Sequence, residues 1–437
     1  MRLNIFLLFT LIFSISCSID TLIESSAEAE SQSKKIKVGY FSPIYASPGS
    51  DILTVALKDP TPFEETGKII HYQDYIFINK PHEGIHIVNN SDPKNPINEG
   101  FIQIKGNIDM AIIDDFLYAD QFSALVVLDL QDLEHVSLIE DFTVKEIFNY
   151  NRYWAFDPDD SSDEYEFYQL ESVDDKQGIV VGWNLKIRLE LMDFRRYPFL
   201  NNTSDLVEIV EEETSQNDIN GNRQSQAGSM TRFLPVDNLL YTLNEWELIL
   251  FEIAENHKPL RFGKTGTNSS AETLFRLNDY LFIGTTTDML VYGIDSPKNP
   301  TFLSRIDHFR SCDPVVADEE YAYVTLRGGT NCFTERNELQ IISLKDPENL
   351  EVVSRQILFN PHGLSVYEDY IIVCDGTAGI KVVDVSDKTK PEVVNTIAVD
   401  FAYDVILDYP KAIVVGGGKV YQYNISQLPE LELISQN

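Results

Sequence analysis

The chain has 437 residues, 43% of them hydrophobic, so it can bury a large core. Its 69 Asp and Glu against 34 Lys and Arg leave a formal charge of -35, which repels phosphate backbones and anionic headgroups and excludes nucleic-acid binding as the expected role. The acidity fits either a solvated surface that keeps an extracytoplasmic protein soluble or an attraction for cations and basic partners.

The chain opens with Arg2, an apolar run from Ile5 to Phe13, and the small residues Ser14 and Ser16 ahead of Cys17. The run is too short to span a bilayer comfortably and has the flanks of an export signal. A small residue directly before a cysteine resembles a bacterial lipobox. Residues 1–17 are therefore expected to be a lipoprotein signal peptide ending at a lipidated Cys17. Ser14 stands where that pattern usually has Leu, and ordinary secretion is the other outcome. No later stretch approaches the roughly 18 apolar residues of a membrane helix, so the expected address is extracytoplasmic, held by the lipid alone, on a bacterial outer membrane. Residues 18–40, rich in Ser, Ala, Glu, Gln and Lys, read as a flexible tether.

Over residues 41–437 the chain repeats a line of about 40 residues, most legible at 363–394 as G-L-S-V-Y-E-D-Y-I-I-V-C-D-G-T-A-G-I-K-V-V-D-V-S-D-K-T-K-P-E-V-V. Short apolar runs split by Gly, Asp, Asn and Pro at this period read as one four-stranded propeller blade per copy. The copies open near Gly67, Asp109, Ser229, Glu272, Asp313, His362 and Asp404. The fold class is therefore all-β, a seven-bladed β-propeller of four-stranded antiparallel blades. The second and third openings lie about 120 residues apart, which leaves an insertion between blades 2 and 3 at about 145–228. Within it Ile179 to Trp183 and Leu185 to Leu191 predict added strands, while residues 211–228 read as disordered. Because the insertion leads into the third blade's first strand, it is expected over the face that carries the loops into the innermost strands.

The chain resembles the LVIVD-repeat proteins of bacteria. The resemblance is carried by G-I-H-I-V-N-N-S-D-P at 84–93, G-N-I-D-M-A at 106–111, L-Y-A-D at 117–120, G-I-V-V-G-W at 178–183, G-S-M-T-R-F at 228–233, S-C-D-P-V-V at 311–316, A-Y-V-T-L-R at 322–327 and N-P-H-G-L at 360–364. It implies a β-propeller fold and an exported or lipid-anchored setting, and it carries over no catalytic residue.

Six blade openings other than Gly67 are polar, and they are expected to converge on the mouth of the central channel. Asp109, Glu272, Asp313, Asp404 and His362 could hold Ca2+ or another divalent cation, or form a polar cup for a basic or hydroxylated ligand. Equally, they could hydrogen-bond free backbone amides and solvate the channel. His308 lies near enough in sequence to join them. Arg327 closes a second strand on the same face, to anchor an anion or to pair with the acidic ring. Trp183 and Trp246 offer either stacking surface or packing.

Given export, Cys312 and Cys332 are expected to form a disulfide rather than a metal pair, and Cys374 a buried thiol. The acidic loop at 157–164 lacks the central Gly and terminal Glu of an EF-hand. G-x-S-x-G, H-E-x-x-H and P-loop motifs are absent. The expectation is a monomeric, noncatalytic binding or scaffold propeller for an envelope protein, peptide or glycan. The alternative is a cation-dependent hydrolase or lyase working at the channel mouth.

Overall fold

Short runs rich in Val, Ile, Leu, Tyr and Phe, broken every few residues by Asp, Asn or Gly, are too brief for helices and fold as strands. In a computed structural model the described residues are 33–47, 49–133, 135–139, 142–144, 167–193, 226–308, 314–328 and 336–437. They fall in two units. One comprises Met1–Ser42, Ala155–Ser172 and Asn184–Asp205; the other comprises Pro43–Trp154, Val173–Trp183 and Leu206–Asn437.

The second unit is a seven-bladed propeller. Its innermost strands, in chain order, are Ile69–Tyr72, Met110–Ile113, Phe233–Val236, Ala271–Leu277, Val315–Ala317, Leu364–Tyr367 and Asp404–Asp408. From each, three more antiparallel strands follow outward, and blade 1 adds a fourth, Ala56–Lys58. The third-to-fourth strand turns owe their shape to Asp side chains that accept the backbone N–H two residues on: Asp92 from Lys94 at 3.1 Å, Asp346 from Glu348 at 3.2 Å, Asp387 from Thr389 at 3.0 Å.

Alternation along each strand then serves two interfaces at once. In Tyr75–Lys80, Phe77 packs into the seam with blade 2, and Ile76 and Ile78 pack into the seam with blade 7. Every seam holds such an apolar cluster. Each fully buried side chain in them stabilises the ring by about 1.5–3 kcal/mol.

The last blade takes all four strands from the end of the chain, so the ring closes by packing and not by a shared strand. A buried amide pair reinforces that seam. Asn90 Nδ2 donates to Gln422 Oε1 at 3.1 Å, and Gln422 Nε2 donates back to Asn90 Oδ1 at 2.6 Å.

Three sequence expectations change. Blade 3's innermost strand begins at Phe233, so Ser229 is not at its opening. The end of the insertion is ordered: Gln226–Ala227 is a strand that pairs with Ile70 and His71 of blade 1. The tether is a strand from Ser33 on, Ser33–Ala46, and it pairs in parallel with Phe167–Leu170 through Val38↔Phe167 to Phe41↔Leu170. The alternation of Ile36, Val38 and Tyr40 suits a strand, but charged neighbours hide it in a composition reading.

Ile179–Asp193 forms one continuous strand where two runs were expected, in the same three-stranded sheet. Within the propeller unit, Val180 N–H donates to Ser123 Oγ at 3.1 Å, and Ser123 lies in the turn between the second and third strands of blade 2. Trp183 is buried, which answers its role as packing. Cys17, Cys312, Asp313, Cys332, the acidic loop at 157–164 and most of residues 211–228 lie outside the described residues.

Candidate functional site

An innermost strand exposes unpaired backbone groups to the central channel. In blade 1 those groups are covered by the chain itself. Gln226 faces His71 and Ala227 faces Ile70 across an antiparallel pairing, and Gly228 N–H donates to Ile69 O at 3.2 Å. The segment therefore climbs the channel wall toward the face where the innermost strands begin.

There it meets blade after blade. Gln226 Nε2 donates to Leu407 O of blade 7 at 2.9 Å. Ser229 Oγ accepts from Leu364 N–H of blade 6 at 2.8 Å. Thr231 O accepts from Leu274 N–H of blade 4 at 2.8 Å, and Arg232 N–H donates to Asp109 Oδ2 of blade 2. Residues 226–232 thus touch five blades and plug the channel.

The candidate residues take their places around this plug. Asp109, 2% exposed, accepts Lys68 Nζ at 2.6 Å and Met110 N–H at 2.7 Å. Burial lowers the Lys68 pKa, and the Asp109 charge opposes that. Asp404 is fully buried, and its Oδ1 accepts Val405 N–H at 2.9 Å while Oδ2 has no hydrogen-bond partner. Burial pushes its carboxyl up to about 7.

Asp404 fits only because its neighbours lack side chains. A Cβ on Gly228 or on Gly363 would lie 2.1 Å from one of its oxygens. Glu272 sits half-buried in a bulge between Ala271 and Thr273. His362 is 3% exposed, with both ring nitrogens unpartnered and its ring against Phe401 and Tyr403 at 5.2 and 5.4 Å. Burial, and then Arg327 beside it, pull the imidazole down to about 3, so it is neutral at pH 7. Tyr403 is pushed up to about 12 by burial and then by Asp404.

Other acidic residues of the repeat hold loops. Asp120, at the end of L-Y-A-D, accepts Ile108 and Asp109 N–H and Asn107 Nδ2, each at 2.8 Å, and burial raises it to about 7. Asp375 does the same in blade 6, accepting Phe359 N–H at 3.0 Å and Asn360 N–H at 2.7 Å. Each clamps the loop that leads into its own blade.

The plug and its partners bring Asp109, Asp404 and His362 to the channel mouth, with Arg327 beside His362. They do not form a cation cage: among the described residues no three His, Cys, Asp or Glu side chains could hold a metal ion. Arg327 makes no ion pair among the described residues, so the expected pairing with the acidic ring is not seen. Sequence reasoning missed Lys68, Arg232 and Tyr403. The G-S-M-T-R-F motif carried Arg232 without saying that its backbone would reach another blade. Beside the mouth, at the seam of blades 7 and 1, a cavity of about 330 Å³ is lined by Glu64, Glu65, Thr66, Phe401 and Tyr403 among others.

Residues 361–399, which span the four strands of blade 6, match the family model of the LVIVD repeat. No curated protein matches the chain. Similar solved structures include a computationally designed protein, Ika8, at 7% identity and a TM-score of 0.47, covering 88% of this chain and 89% of that one. A functionally unknown protein from Desulfotomaculum acetoxidans DSM 771 matches at 12% identity and a TM-score of 0.42, covering 84% and 94%. BamB from Moraxella catarrhalis matches at 7% identity and a TM-score of 0.43, covering 84% and 99%. These likenesses are too distant to carry an argument.

Proposed function

We propose, starting from a seven-bladed ring that carries the LVIVD repeat, that the chain is a noncatalytic binding or scaffold propeller of the cell envelope. It captures a protein, peptide or glycan through its loop-rich face. One observation carries this reading: residues 226–232 run along the channel wall and touch five blades at its mouth, so the ground left for a partner is the face around the mouth. That face presents Trp246, Ile357 and Phe359, exposed by 42%, 79% and 63%, and exposed apolar side chains grouped on one face suit a partner surface.

The test is capture from an envelope extract with the full chain as bait, against a Trp246→Glu, Ile357→Glu double variant whose melting is first shown to be unchanged. The reading expects the variant to lose the captured partners. An identical set on both baits would sink it.

The address is proposed with it, as a lipid anchor at Cys17 on the extracytoplasmic side of the membrane. Cys17→Ser should release the chain from the membrane fraction. A variant that still fractionates with membranes would refute the anchor and leave the binding reading untouched.

A further inference from the structure

The rim between blades 5 and 6 is held more firmly than its loops suggest. Gly328 N–H donates to Asn337 Oδ1 at 2.8 Å, and Asn337 Nδ2 donates to Phe359 O at 2.5 Å. Leu358 N–H returns to Asn337 O at 3.1 Å. Thr325 Oγ1 donates to His362 O at 2.8 Å, and Asp375 clamps the N–H groups of Phe359 and Asn360. These bonds fix the backbone on both sides of Arg327, which follows the strand Tyr321–Leu326.

Three groups on this fixed frame lack the partners that their chemistry calls for. Arg327 is half-buried and has no ion pair among the described residues, in a chain with 69 Asp and Glu. His362, within its electrostatic reach, has both ring nitrogens buried and unpartnered, which costs stability unless something occupies them. Ile357 and Phe359 leave most of their apolar surface in water.

We propose that this rim binds a carboxylate carried beside an apolar group, with Arg327 taking the carboxylate and Ile357 and Phe359 covering the apolar part. A guanidinium matches a carboxylate with two parallel hydrogen bonds. Arg327, without an ion pair among the described residues and in the field of a chain with charge -35, suits a single negative charge better than a phosphate dianion. The chemistry is shared by a polypeptide chain end with an apolar last residue and by a free alkyl or aryl acid. The inference rests on the binding reading above and names the ligand class of that face.

The experiment titrates the full chain with N-acetyl-Leu-Phe as free acid, with its C-terminal amide, and with decanoate, following binding by calorimetry. The free acid or decanoate should bind at least ~10-fold more tightly than the amide, the scale of one charged hydrogen-bonded pair. Arg327→Gln should erase that gap and Arg327→Lys restore part of it. Phe359→Ser should weaken acid and amide alike. Binding by the peptide acid assigns the site to chain ends, and binding by decanoate alone assigns it to free acids. Equal binding of acid and amide, or no binding by any of the three to a chain with normal melting, overturns the proposal. Partners captured equally by wild type and Arg327→Gln also overturn it, while the binding reading stands.

Discussion

Two loops lead into innermost strands and are held over different distances. The loop into blade 6 is held by its own blade and its immediate neighbours: Asp375, one strand further on in the same blade, grips Phe359 and Asn360, Asn337 and Thr325 of blade 5 donate to Phe359 O and His362 O, and Gly363 N–H donates to Tyr403 O at the start of blade 7. The loop into blade 3 is held from without, by Ile69, Leu407, Leu364, Leu274 and Asp109, which belong to five other blades. The Asp375 clamp is a property of one repeat, and the rest of the first arrangement reaches no further than the adjoining blades. The second exists only in the assembled ring, so damage to it should be felt by the whole propeller.

The largest effect should come from Asp109→Ala. It strips the plug of one anchor and leaves the Lys68 ammonium buried without its counter-ion, which costs about 3–5 kcal/mol. Chemical denaturation should show that loss, and Lys68→Met in the same chain should recover much of it. Unchanged stability in the single variant would mean that Lys68 escapes to water and that the buried pair is not a unit.

Next comes Gly228→Ala, whose Cβ has to displace the Asp404 carboxylate. Such overpacking costs about 1–3 kcal/mol, and the melting transition should fall as one step because the plug ties five blades together. Asp375→Ala should cost less, ~1 kcal/mol for lost backbone acceptors. Hydrogen exchange should rise only around Phe359 and Asn360. Ring-wide exchange after Asp375→Ala would erase the contrast between the two loops.

A smaller effect reads the plug through pH. The folded chain holds a proton on Asp404 up to about 7, against 3.8 for an ordinary carboxyl. The stability this contributes is complete below about pH 4 and is lost as pH rises through 7. His362, drawn down to about 3 from 6.5, acts oppositely: its contribution is complete above 6.5 and is lost as pH falls. Between pH 5 and 7.5, Asp404→Asn should therefore lose about 2 kcal/mol less than wild type. Parallel profiles for the two proteins would show that the Asp404 carboxyl is ionised throughout.

Seven blades were legible because each copy repeats its own pattern of apolar runs and Asp turns, and a strand such as Tyr370–Cys374 needs nothing from afar to be recognised. The clamps at Asp120 and Asp375 were visible as recurring letters, although their job of holding N–H groups was not. The plug was illegible. Gln226 and Ala227 have no strand-like neighbours in sequence, and their partners Ile70 and His71 lie more than 150 residues away. Ser229 looked like a blade opening because its spacing nearly fits; in the fold it belongs to the plug, where its Oγ accepts from Leu364 N–H of blade 6 and blade 3's strand begins only at Phe233. Arg327 was placed on the right face, but among the described residues it forms no ion pair with the acidic ring that charge composition suggested, and Asp313 of that ring lies outside them.

The plug also sets an order of events. Gly228 and Ser229 rest on Asp404 and Leu364, which follow them by more than 130 residues. Contacts of such sequence separation form late, because a long loop must close before they stabilise anything. As the chain is synthesised, blades 1 to 5 can be made while the thread holds only blades 1, 2 and 4. Repeat proteins usually grow by adding one neighbour to the next; this ring has a last step that waits for blades 6 and 7, and a chain stopped short of blade 7 would leave Gln226 and Gly228 without Leu407 and Asp404 to rest on.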